Sequence, residues 1–122
     1  MILVDTSVWV QHFRRGMHDF SSALKAERIL IHPVVIGELA IGNLAKRSQT
    51  LAALRSLPHA PVATTEECLG FIETNLLYGR GIGWNDIQLL AAALLSGSPL
   101  WTLDSRLREA AKEIGVAYDI YP

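Results

Sequence analysis

Four acidic residues stand out for where they sit. Asp5 follows the apolar run Ile2-Leu3-Val4, and Glu38 lies inside Val34-Val35-Ile36-Gly37-Glu38-Leu39. Asp86 opens the run Ile87-Gln88-Leu89-Leu90-Ala91-Ala92, and Asp104 follows Leu100-Trp101-Thr102-Leu103. An ionised carboxylate among apolar neighbours is costly to bury unless it is paired or bound to a cation. No Lys or Arg lies close in sequence to Glu38 or Asp86 to neutralise it. Four carboxylates gathered in one place repel one another unless a cation or shared protons hold them. An all-oxygen donor set without a Cys or His cluster selects Mg2+ or Mn2+ over zinc. Each acid also has an ordinary reading. Asp5 and Asp104 are good helix N-caps, and Asp86 is a first-turn acid favoured by the helix dipole. Glu38, apolar on both sides in sequence, is the hardest to explain that way.

The elements that must position these acids alternate short apolar runs with helical stretches. Ile2-Leu3-Val4 reads as a strand buried on both faces. Asp5-Thr6-Ser7 caps a helix through Val8, Trp9 and Phe13 that Gly16 closes, and Asp19 caps a second. Ile29-Leu30-Ile31 is a second strand. Pro33 starts a helix that runs past Glu38 to about Leu44. Gln49 to Leu57 forms another, and a very short strand falls near Val62, after Pro61. Thr64 with Glu67 matches a capping box for a helix to about Tyr78. A loop with Gly79, Gly81 and Gly83 leads into the apolar helix from Trp84 to Ser96. Leu100-Trp101-Thr102 is a strand, Asp104 caps a helix to Ile114, and Val116 to Ile120 is a last strand. Strands separated by helices predict an α/β fold with a mostly parallel sheet. Right-handed crossovers bring the strands' carboxyl ends to one edge, where open α/β sheets bind ligands. All four acids fall at that edge.

Composition narrows the class. The chain has 122 residues, half of them hydrophobic, which suits one domain over residues 1–122 with a real core. The lone cysteine, Cys68, cannot build a disulfide framework or a zinc site and reads as a small buried hydrophobe. No signal peptide or membrane span is evident, so a cytoplasmic setting away from the membrane is expected. Net charge is −1 but uneven: residues 1–55 carry seven Lys/Arg against four acids, and residues 56–122 carry four against eight. His12, His18, His32 and His59 show no metal spacing and are expected on the surface or in loops.

The runs around Asp5, Glu38, Asp86 and Asp104, in that order over essentially the whole chain, resemble a PIN domain. More narrowly, they are similar to the VapC-type toxins of type II toxin–antitoxin pairs. The resemblance implies a three-layer α/β fold with four to five strands flanked by helices. It implies that the four acids form a catalytic quartet holding Mg2+, or Mn2+ in its place. The activity implied is endonucleolytic cleavage of RNA to a 5′-phosphate and a 3′-hydroxyl, which inhibits translation. A cognate VapB-type antitoxin and a homodimer are the implied partners. Thr6 and Thr102 match the supporting hydroxyl residues, although capping and strand propensity explain them equally well. Arg14, Arg15, Lys46 and Arg47, with Arg55, are candidates to contact RNA phosphates. Trp9 and Phe13, at i and i+4, fit core or partner-helix packing better than base stacking.

Other readings fit less well. A phosphatase of the haloacid-dehalogenase type needs a second Asp where Ser7 stands. A response-regulator receiver needs an acid pair after the first strand and a late Lys. No nucleotide-binding P-loop or serine-hydrolase motif is present. A stand-alone RNA-processing nuclease and a catalytically silent binding domain stay open as alternatives.

Overall fold

A computed structural model describes residues 1–119. Strand β1 (Ile2–Val4) is buried at all three positions, not at alternate ones, because helices cover both faces of the sheet. It lies between β2 (Ile29–Leu30) and β3 (Leu100–Trp101), in the order β2-β1-β3. Both pairings are parallel, with Leu3 opposite Leu30 on one side and Leu100 on the other. Among the described residues the sheet has three strands, fewer than the four to five expected. Single parallel bridges extend it at each edge, Ile31 with His59 and Leu100 with Ala117.

The physical reason is clear at the first edge. Ile31 N–H donates to the Pro58 carbonyl and Ala60 N–H to the Ile31 carbonyl. The next donor on the Ile31 side would be Pro33, which has no N–H and opens a helix, so no ladder forms towards Val62, which is exposed. At the second edge the bonds run from Leu100 N–H to Val116 O and from Tyr118 N–H to Leu100 O. The expected strand beyond them reaches Ile120, which lies outside the described residues.

Seven helices surround this sheet among the described residues: α1 (Thr6–Arg15), α2 (His18–Lys25), α3 (Pro33–Ala40), α4 (Arg47–Ser56), α5 (Thr65–Asn75), α6 (Trp84–Ser96) and α7 (Ser105–Glu113). Local chemistry sets their ends. Asp5 caps α1, and Gly16, at φ +72°, closes it. Helix α2 begins after Met17, which leaves Asp19 in the first turn instead of at the cap. Helix α3 stops four residues short of Leu44, and Arg47 donates to the exposed carbonyls of Ala40 and Gly42 just past its end. Both bonds of the capping box are present on α5: Glu67 N–H to Thr64 Oγ1 at 3.1 Å and Thr64 N–H to Glu67 Oε1 at 2.8 Å.

Helix α6 buries Leu89, Leu90, Ala92 and Ala93 completely, which makes it the best-covered helix. On α1, Trp9 is buried and meets Phe20 edge-on at 4.7 Å, and Phe20 meets Trp101 of β3 at 5.8 Å. Phe13 stays 45% exposed while its ring keeps contact with Trp9, centroids 5.8 Å apart. Cys68 is buried, as expected. His32 is not a surface histidine. It is 1% exposed, and its Nδ1 accepts from Val34 N–H at 3.0 Å to cap α3. Burial and the nearby His59 charge hold its pKa below the ordinary value, which keeps the ring neutral and Nδ1 free to accept. No helix among the described residues is long and apolar enough to cross a membrane.

The centre of the sheet carries the core, so Leu3→Ala should cost about 2–5 kcal/mol. Urea denaturation should show a lower midpoint at unchanged slope. A loss below about 1 kcal/mol would mean that β1 is not packed as described.

Candidate active site

The carboxyl ends of β1 and β3 place the first part of the site. Asp5 follows β1 directly, and its N–H donates to the Trp101 carbonyl at 2.9 Å. Its side chain is buried, 6% exposed, among hydroxyl donors. Thr102 Oγ1 donates to Asp5 Oδ2 at 2.7 Å, and Ser7 Oγ donates to the same oxygen at 2.8 Å. Thr6 N–H donates to Oδ1 at 2.8 Å. Three donors hold one buried carboxylate in place.

The same hydroxyls reach outward to the other acids. Thr6 Oγ1 donates to Glu38 Oε1 at 2.7 Å, which fixes the α3 carboxylate against the start of α1. Thr102 Oγ1 accepts from Asp104 N–H at 3.0 Å, and Ser7 Oγ accepts from Leu103 N–H at 3.0 Å. Both threonines therefore position acids. Ser7, which sequence reasoning treated only as capping material, does the same. Its signal in the sequence was no more than a hydroxyl two residues after Asp5.

Asp86 and Asp104 each use one oxygen on their own helix. Asp86 Oδ2 accepts from Gly83 N–H at 3.0 Å, and Asp104 Oδ1 accepts from Arg106 N–H and Leu107 N–H. The bland capping role is thus real for Asp5, Asp86 and Asp104, and in Asp86 and Asp104 it leaves one oxygen without a hydrogen bond among the described residues. Burial pushes the Asp86 carboxyl above the usual range, and the charges of Asp5, Asp104 and Glu38 push it further, against the pull of Gly83 N–H. Asp86 is therefore within electrostatic reach of the other three. Glu38 is half-buried and Asp104 is exposed, so the cluster opens to solvent. Among the described residues, no group of three or more His, Cys, Asp or Glu side chains is placed so that it could hold a metal ion.

The basic candidates fall in different places. Arg14 lines a groove of about 320 Å³ together with Glu38, Phe13 and Asn43. That groove continues past Leu44 to Lys46 and Thr50. Arg15 is exposed at the end of α1, and Arg55 is exposed on α4. Arg47 is engaged with the carbonyls that end α3.

A parallel α/β sheet whose carboxyl edge gathers four acids from β1, α3, α6 and the β3–α7 turn defines a class. The PIN domain profile matches residues 2–113, and the chain belongs to that family. Within it, the chain is 43% identical over 118 residues to Ribonuclease VapC32 of Mycobacterium tuberculosis, covering 96% of this chain and 95% of that one. Solved structures of similar fold include VapBC-1 from nontypeable Haemophilus influenzae, at 18% identity and a TM-score of 0.68 over 96% of this chain and 95% of that one. VapBC2 from Rickettsia felis, bound to a DNA fragment from their promoter, aligns at 21% identity and a TM-score of 0.63 over 85% of this chain and 88% of that one. At those identities the likeness is one of fold.

The raised Asp86 pKa has a sign. The folded state holds that proton at a pH where the unfolded chain has lost it, so the stability it brings is full below the ordinary carboxylate pKa. It is lost as pH rises through the folded value. At neutral pH without divalent metal, Asp86→Asn should raise Tm by a few degrees, with the gain vanishing in acid. Melts that show Asp86→Asn less stable at neutral pH would contradict the repulsion.

Proposed function

We propose that the chain is a divalent-metal-dependent endoribonuclease, the toxin of a VapBC-type pair that acts in the cytoplasm. The observation that carries this reading is the cluster itself. Four acids from four separate elements share one edge, and Asp86 feels the charge of the other three. The support from relatives is the 43% identity to a ribonuclease over nearly the whole chain.

The donor chemistry fits a hard cation. Glu38 Oε2, Asp86 Oδ1 and Asp104 Oδ2 accept no hydrogen bond among the described residues. Asp5 Oδ1 accepts only one. Mg2+ keeps several waters and takes one or two carboxylates directly, so it needs only part of this acidic set in its inner shell, and Mn2+ can follow it there. Asp5 and Asp86 are assigned as direct ligands, and Glu38 and Asp104 as ligands directly or through water. When bound, the ion supplies positive charge against the scissile phosphate and acidifies the attacking water.

The protein's own residues do the rest. Thr102 and Ser7 fix Asp5 so that it does not reorganise as charge develops. Thr6 holds Glu38 by one oxygen, which leaves the other to orient the water and accept its proton. Arg14 and Lys46, along the groove that starts at Glu38, are assigned to the phosphates of the flanking RNA. A VapB-type antitoxin is the proposed controlling partner and a homodimer the proposed assembly. Two of the structures of similar fold are VapBC2 and VapBC-1.

Incubating a labelled single-stranded RNA with the purified chain in Mg2+, Mn2+ or EDTA tests the reading. Cleavage should need metal and leave 5′-phosphate ends. Asp5→Asn should lower it by about two to three orders of magnitude, corresponding to roughly 3–4 kcal/mol of barrier. Metal-independent cleavage, or full activity in Asp5→Asn, would refute it.

A further inference from the structure

A side chain outside the candidate list sits beside the acids. Arg106, the second residue of α7, is exposed, and its backbone N–H is one of the two that Asp104 caps. Its guanidinium lies over Gly81, in the loop that leads to Asp86. A Cβ built on Gly81 would stand 2.5 Å from Arg106 Nη1, 3.1 Å from Cδ and 3.2 Å from Cζ. Gly81 also has φ +74°, where other residues are strained. The loop thus makes a cradle that only glycine provides, and an arginine fills it. An ion pair between Arg80 and Glu113 at 2.6 Å ties the same loop to α7.

Among the described residues the cradled charge has no ion-pair partner. Among the described residues the ion pairs are Arg80–Glu113 and Arg108–Asp119, and no carboxylate lies within 4 Å of the Arg106 guanidinium. A cation held between the segments that carry Asp86 and Asp104, yet left unpaired, is placed to meet an anion coming to those acids. A guanidinium matches a phosphate with two parallel N–H bonds, and its planar fork loses little freedom once it is seated.

We infer that Arg106, seated on Gly81, binds a backbone phosphate of the RNA at the rim of the acidic site. This inference rests on the ribonuclease reading and adds to it one phosphate contact on the α6–α7 side, away from the Arg14 groove. The contact belongs to the bound RNA before and during reaction, so its loss raises KM more than it lowers kcat.

The test is fluorescence anisotropy with a labelled 20-nucleotide single-stranded RNA, in EDTA to stop cleavage, over a salt series. Arg106→Gln should bind about tenfold more weakly, the usual scale for a charge-assisted contact. Its log K against log salt slope should be shallower by about 0.7. Arg106→Lys should recover the slope, because it keeps the charge. Gly81→Ala, which drives the flexible guanidinium out of its seat, should weaken binding similarly, and the double variant should add little. Thermal melts check that Arg106→Gln is folded, and the KM and kcat of the metal-loaded variants give the second readout. Unchanged affinity and slope in Arg106→Gln, with RNA still bound and cleaved by the parent chain, would overturn this contact alone. A parent chain that neither binds nor cleaves RNA would overturn both readings.

Discussion

Like charges must be held together before this fold can have a site at its sheet edge. The restraint is built from short hydroxyl contacts. Thr102 on the β3 side and Ser7 on α1 both donate to the same oxygen of Asp5, which closes the end of β1 against the end of β3 across a separation of 97 residues in the chain. Thr6 extends the same network to Glu38 on α3. Asp5 and Glu38 are therefore fixed by neutral donors. A lysine or arginine in that role would cancel the charge that a cation needs.

The rest of the architecture serves that arrangement. A central strand buried on both faces fixes where Asp5 emerges. Helix α6, the most deeply packed, fixes the first turn that holds Asp86. Asp104 caps α7 with one oxygen, and the loop before α6 is clamped to α7 through Arg80 and Glu113. Capping and site-building use the same residues here. Asp86 and Asp104 satisfy backbone N–H groups with one oxygen and offer the other, so in them the ordinary and the chemical roles do not compete.

Much of this was legible in the sequence. The strand before Asp5, the capping box at Thr64 and the apolar helix after Asp86 are local signals, and the structure has them where expected. What failed depended on contacts distant in sequence. The strand towards Val62 did not form because Pro33, which has no N–H and starts α3, ends the ladder that Ile31 begins. The α3 helix ended early, at carbonyls that Arg47 caps from the next helix. His32 looked like a loop residue because a neutral imidazole is an uncommon cap, and only the packed sheet edge keeps it dry. Ser7 and Arg106 escaped notice because a lone hydroxyl or arginine on a helix gives no pattern. The partners that give them meaning, Leu103 and Gly81, are named only by the fold.

The central claim is that the four carboxylates together form the seat of one hard cation. Crystals grown with Mn2+ and measured for anomalous scattering test it most directly. The account predicts a strong peak between Asp5 and Asp86, with Glu38 and Asp104 in the same ligand or water shell. A metal-dependent nuclease whose manganese peak lies away from Asp5, or none of whose four acids borders the peak, would contradict it.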